Sequence, residues 1–249
     1  MKFLCVSDQI DPLVYSTTLK ERYGDVDAVF CAGDLSLEYV DFIVTALGKP
    51  TFFVFGNHNL EDYDLYTKSD HNNSMTPFQQ ASRGHGGDHS GQKVFASKHL
   101  FFTDSSGKKT PLLIAGADGS MRYNNGKCQF TEGQMFRTLL KMVPKLLWNK
   151  IRYGRYLDVF LTHASPRHIH DREDPCHKGF ECFNWFIRKF SPALMIHGHI
   201  HLYDLQAVRC TKTEKTTVVN AYSHIVVEMK KNFTKGAAHE SDISILSDR

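Results

Sequence analysis

With 249 residues, 41% of them hydrophobic and 23% charged, the chain carries enough apolar material for a full core and reads as one large globular domain. Its 30 basic and 27 acidic residues leave a net charge of +3, too small and too dispersed to mark a nucleic-acid or membrane surface. Six cysteines (Cys5, Cys31, Cys128, Cys176, Cys182 and Cys210) form no C-x-x-C pair, which argues against a zinc ribbon or redox motif and for free thiols in a reducing compartment.

In chain order, the opening MKFLCVSD is too short an apolar run for a signal peptide, and no stretch is long and apolar enough to span a bilayer, so the expected location is cytoplasmic. Short apolar runs then recur, each stopping at a Gly, Asp or His cluster: KFLCVSD, DAVFCAGD, PTFFVFGNH, PLLIAGADGS, DVFLTHASP and ALMIHGHIH. Their unbroken hydrophobicity predicts strands covered on both faces. Between them, SLEYVDFIVTALG predicts a helix closing on Gly48, and FTEGQMFRTLLKMVPKLLWNK another, interrupted at Pro144. Strand and helix alternate, so the class is α/β. Residues 82–91, SRGHGGDHSG, read as a flexible loop with His85 and His89 as bystanders. From Lys230 the chain turns polar, which divides it into a domain over 1–229 and a loosely held C-terminal tail over 230–249.

The strand ends carry the chemistry: Asp8, Asp34, Asn57 with His58, His163, and His199 with His201. In LMIHGHIH, residues 194–201, three imidazoles alternate, so His197, His199 and His201 share a side if the chain stays extended there. In α/β folds ligands gather beyond the carboxyl ends of strands, where residues far apart in sequence converge.

Taken in order, SDQ, AGD, FGNH, LTH and HGHIH resemble the calcineurin-like metallophosphoesterases, whose pattern is D-x-H, G-D, G-N-H-(D/E), H and G-H-x-H; the resemblance spans residues 8 to 201. It implies a four-layer αββα sandwich of two mixed β-sheets flanked by helices, and two divalent or mixed-valence transition-metal ions. Carried over residue by residue, Asp34 bridges the ions, Asn57, His163 and His199 complete the second site, and Asp8 and His201 serve the first. His197 lies outside the pattern and reads as structural support. Gly33 and Gly56 are expected to let the backbone turn tightly beside the ions, and Gly198 to permit the turn that lets both His199 and His201 reach them. Mixed imidazole and carboxylate ligands favour Mn, Fe, Zn or Co over Mg or Ca. The resemblance further implies hydrolysis of a phosphoester, a diester by preference, by metal-activated hydroxide, with His58 beside Asn57 as the proton donor to the leaving oxygen.

The chain departs from that pattern twice. Ile10 stands where a histidine ligates the first ion, and Asn59 where a carboxylate orients the catalytic histidine. Asp11 is no replacement, because an extended segment turns it away from Asp8; a weak first site is therefore expected. Glu61 is the candidate to orient His58 instead. In GSMRYNNG, Arg122 is the candidate bidentate phosphate clamp. The segment SPRHIHDREDPCHKGF, with His168, His170, Asp171, Asp174 and His177, reads as a solvated loop, with a lid or a further ligand set as the alternatives.

The sequence thus points to a metal-dependent phosphoesterase acting on a small-molecule substrate, with no clear nucleic-acid surface, no membrane partner and an unread oligomeric state. A phosphomonoesterase or protein phosphatase is the rival within the class. From another class the rival is a weakened scaffold for protein interaction, as one retromer subunit of this fold is thought to be, and Ile10 and Asn59 favour it.

Overall fold

Along each apolar run, alternate residues face opposite layers. In β1 (Lys2–Ser7), Phe3 and Cys5 enter a core between two sheets, while Leu4 and Val6 face outward onto helices. Both faces are covered, which is why the strand sequences show no polar alternation. The computed structural model describes residues 1–67, 86–103, 107–204, 207–232 and 240–246.

The strands that follow are β2 (Ala28–Cys31), β3 (Thr51–Phe53), β4 (Asp88–His89), β5 (Lys93–Thr103), β6 (Lys109–Ala117), β7 (Ser120–Met121), β8 (Gln129–Phe130), β9 (Val159–Thr162), β10 (Leu194–His197), β11 (Cys210–Lys212), β12 (Thr217–Asn220), β13 (Ser223–Asn232) and β14 (Glu240–Leu246). One six-stranded sheet runs β14-β13-β1-β2-β3-β4 and the other β11-β12-β10-β9-β6-β5, both mixed. Phe3, Phe30 and Phe52 from the first meet Ile114, Leu161 and Ile196 from the second in the central core.

Helices α1 (Leu19–Tyr23) and α2 (Leu37–Leu47) cover the outer face of the first sheet, and α3 (Tyr63–Thr67) follows β3. On the second sheet lie α4 (Glu132–Tyr153) and α5 (Glu181–Phe190). Phe186 of α5 packs on Phe160 of β9 with ring centroids 4.4 Å apart, so truncating it to alanine is expected to cost about 3–5 kcal/mol. The layers are therefore αββα. Helix α2 starts on Ser36, whose hydroxyl accepts from the Tyr39 N–H, and ends on a left-handed Gly48.

Three expectations are corrected here. Helix α4 runs unbroken through Pro144, which lies on the helix's exposed side, where the ring does not disturb the packing against the sheet. The polar residues after Lys230 are not all tail: β13 continues to Asn232 and pairs antiparallel with β14, so a boundary at 229 cuts a strand. Their polar alternation fits an edge strand. His89 is buried, with Nε2 at 3.1 and 3.0 Å from the two Asp118 oxygens, and is no bystander. His85 lies outside the described residues.

Candidate metal centre

The parallel strands β1, β2 and β3 of one sheet and β9 and β10 of the other end side by side, and the residues just beyond their ends meet. The carboxylate of Asp34 and the rings of His163 and His199 present ligand atoms all within 4.8 Å of one another. All three residues are buried, as is Asn57.

Backbone carbonyls fix both imidazoles. His163 Nδ1–H donates to Ala32 O at 2.8 Å, so its Nε2 faces the cluster; His199 Nε2–H donates to Cys176 O at 2.6 Å, so its Nδ1 faces the cluster. Asn57 is aimed the same way. Its Nδ2 donates to the Tyr123 hydroxyl at 3.1 Å, which turns Oδ1 to within 3.2 Å of His163 Nε2. His163 Nε2 also lies 3.1 Å from His199 Nδ1 and 3.4 Å from Asp34 Oδ2. A ring nitrogen surrounded by acceptors needs a proton or a cation between them.

The protonation states agree. Burial works against a charged His163, but the Asp34 and Asp8 carboxylates outweigh it and raise the pKa to about 9. Burial likewise opposes the Asp34 carboxylate, yet His163 holds it well below the usual carboxylate range. His199 is pushed down to about 3 by burial and then by the charge on His163. A divalent ion would compete with a proton for the His163 Nε2 lone pair. The donor set of one carboxylate, one amide oxygen and two imidazoles fits a transition metal.

The backbone is strained at three of the candidate ligands. Asp8, Asp34 and His199 adopt positive φ of 66°, 55° and 67°, a region that costs a non-glycine residue of order 1–3 kcal/mol. Gly56 is needed for space rather than for its dihedral angles: an added Cβ would fall 2.0 Å from Asp34 Oδ1. Gly198 is similar, with Asp8 Oδ2 at 2.6 Å from such a Cβ. The turn after β10 is made instead by His199 itself, so the three histidines form no extended comb. His197 points away, its Nε2 at 2.8 Å from His170 Nδ1, and His170 Nε2 bonds the Thr211 hydroxyl at 2.8 Å.

The other half of the constellation is looser. Both Asp8 oxygens accept the His199 backbone N–H, at 2.9 and 3.0 Å, and His201 Nε2 stands 3.8 Å from Asp8 Oδ1. Tyr203 OH at 2.9 Å from Nδ1 and the Tyr222 ring at 5.0 Å hold His201 in place. Ile10 is 52% exposed. Asp11 is turned away from Asp8, accepting from the Ser223 hydroxyl and, at 2.5 Å, from His224 Nδ1.

His58 is exposed beside the cluster, and its backbone N–H donates to Asp34 Oδ1 at 2.7 Å. Asn59 does not orient it; the Asn59 amide donates to Asp34 O at 2.9 Å, a role a carboxylate could not fill. The Arg122 guanidinium bonds Gln129 O at 3.3 Å and Gln134 Oε1 at 3.2 Å, at the start of α4. Its neighbour Tyr123 is the residue of that turn that reaches the site, and only its adjacency to Arg122 hinted at this.

The segment after β9 is seated on the site and not merely solvated. Cys176 O meets His199, Arg172 donates to His201 O at 2.7 Å, and Arg167 is clamped to Asp171 at 2.6 Å and Glu173 at 2.7 Å. An open cleft of ≈ 550 Å³ adjoins it, lined among others by His170, Arg172, His201 and Tyr203.

The sequence pattern described as calcineurin-like phosphoesterase matches residues 1–203. The chain belongs to that family of metal-dependent phosphoesterases. One solved chain superposes with a TM-score of 0.59 at 14% identity, covering 99% of both chains. The protein TT1561 of Thermus thermophilus superposes at 0.55 with 13% identity, over 90% of this chain and 92% of that one. Wild-type Vps29 from Entamoeba histolytica, solved with Zn²⁺, gives 0.38 at 12% identity over 98% and 99%. No curated protein matches the sequence. The matched span contains Gly33, Asp34, Gly56, Asn57 and His58, with an isoleucine at position 10.

Proposed function

We propose that the protein is a metal-dependent phosphodiesterase with two unequal cation sites. The observation that carries this reading is the convergence of Asp34 Oδ2, Asn57 Oδ1, His163 Nε2 and His199 Nδ1, each aimed by a hydrogen bond or strand end. Those residues would hold one Mn, Fe, Zn or Co ion. Asp8 and His201, with Asp34 shared, would hold a second, weaker one.

When bound, the metal supplies a Lewis acid that polarises phosphoryl oxygens and acidifies water. The chain's own residues do the rest. The Asp34 carboxylate anchors the His58 N–H, which keeps the exposed imidazole at the mouth of the site, where it donates a proton to the leaving oxygen. Arg172 takes the role first given to Arg122, because it lines the cleft beside His201 and offers guanidinium N–H groups to a substrate's anionic part. The cleft has room for a second ester substituent, which favours a diester over a simple monoester.

A specific observation also supports the scaffold reading: Ile10 removes one ligand, and the His199 N–H occupies Asp8. The test is turnover of bis(p-nitrophenyl) phosphate and p-nitrophenyl phosphate while Mn is titrated into chelator-treated protein, with bound metal counted at each point. Diester cleavage that His58→Gln abolishes, with metal binding retained, is the expected result. Absence of turnover on both substrates at saturating metal would favour the scaffold.

A further inference from the structure

Helix α4 buries Met135, Leu139, Met142 and Leu146 against the second sheet, yet its outer side is also apolar. Leu140, Leu147, Trp148 and Ile151 are all exposed, Trp148 at 62% and Ile151 at 80%. At 3.6 residues per turn, Leu140, Leu147 and Ile151 fall on one stripe with Trp148 at its margin. Scattered exposed apolar residues need no explanation, but a stripe along one helix does.

The charge around that stripe says what covers it. Arg137, Lys141, Lys145 and Arg152 are exposed on the same helix, and no Asp or Glu follows Glu132 along it. The chain's net charge is only +3, so one helix carries a concentration of positive charge that composition alone conceals. A second copy of this face would set those cations against themselves. A peptide helix needs a groove, whereas this is the outer side of a single helix. Aromatic and aliphatic groups flanked by Lys and Arg on a surface helix match the interface of an anionic bilayer, where Trp sits at headgroup depth.

We infer that the outer face of α4 docks the protein peripherally on anionic membranes, with Trp148, Ile151 and Leu147 entering the interface and Arg137, Lys141 and Arg152 meeting the lipid headgroups. No helix among the described residues is long and apolar enough to cross a membrane, so the contact is superficial. The small net charge of the sequence gives no hint of such a contact, and it stands independently of the reaction proposed above.

The test is co-sedimentation of the full chain with phosphatidylcholine vesicles, with and without about 30% phosphatidylserine, at low and at raised salt. Binding to the anionic vesicles, weakened by salt and absent from the neutral ones, is expected. Replacing both Trp148 and Ile151 by serine should reduce it at least about tenfold. Arg137→Gln and Lys141→Gln should each reduce it roughly fivefold, with thermal melts unchanged because every altered residue is exposed. Metal-stripped protein should bind as well as loaded protein, which separates this inference from the phosphoesterase reading. No binding to anionic vesicles, or binding that the serine pair leaves intact, overturns it. A dimer in sedimentation equilibrium that Trp148→Ser dissolves, without vesicle binding, assigns the face to a second copy and overturns it equally.

Discussion

The two halves of the proposed metal centre would share Asp34 and little else. On one side, Asn57, His163 and His199 are buried and each is aimed by a second group: Tyr123, the Ala32 carbonyl and the Cys176 carbonyl. On the other, His201 is half-buried among tyrosines, Asp8 is engaged by a backbone N–H, and an exposed alkyl chain stands at Ile10. A ligand atom is useful in proportion to how firmly the surroundings hold it in place. The buried half is held by hydrogen bonds from outside the cluster, and the exposed half is held less firmly.

The largest effect should come from removing the shared charge. Asp34→Asn keeps the shape and the bond to the His58 N–H, but is expected to weaken Mn binding by at least about 100-fold, since outer-shell changes alone cost about 10–100-fold. Isothermal titration measures it; a loss under about threefold would mean that Asp34 is not a ligand. Next, Ile10→His returns an imidazole to the poorer half. Bound Mn should rise from one towards two per chain, with faster diester turnover, and an unchanged stoichiometry would show that Asp8 is unavailable for reasons other than the missing ligand.

Tyr123→Phe tests the organisation of the better half without touching a ligand. Asn57 loses the acceptor that aims it, so metal affinity should fall about 10-fold while the urea midpoint stays within error. If affinity is unaffected, Asn57 is held by something else or does not ligate.

The smallest effect concerns support further out. His170, bonded to His197 and Thr211, has its pKa lowered to about 4, by burial against the milder pull of Asp171. It is neutral in the fold, while the unfolded chain protonates near its ordinary value. The unfolded state therefore binds more protons between those values, and the contribution to stability is complete above about pH 6.5 and is lost as pH falls towards 4. In a series of urea melts from pH 7 to pH 4, His170→Asn should flatten part of the decline. An identical slope would show that His170 is already accessible to protons.

Unbroken apolar runs ending in Asp, Asn or His told of buried strands with candidate ligands at their carboxyl ends; the αββα sandwich was implied only by the family resemblance that the ordered motifs carry. Those features are legible because strand burial and ligand chemistry are properties of residue type and spacing. The chain by itself also showed that Ile10 cannot bind metal. Tertiary structure alone decided that Tyr123 bonds Asn57 while Arg122 bonds Gln134, that the segment around Cys176 seats on His199, and that His197 turns towards His170. It alone brought residues 240–246 onto β13 as an edge strand and left a basic, apolar face on α4. These depend on which way a turn bends and on what packs against it. Neighbours in sequence such as Arg122 and Tyr123 point to different partners because a bend separates them, and a net charge of +3 says nothing of where four cations gather. Residue type set the chemistry available, and the packing of distant segments chose which atoms would use it.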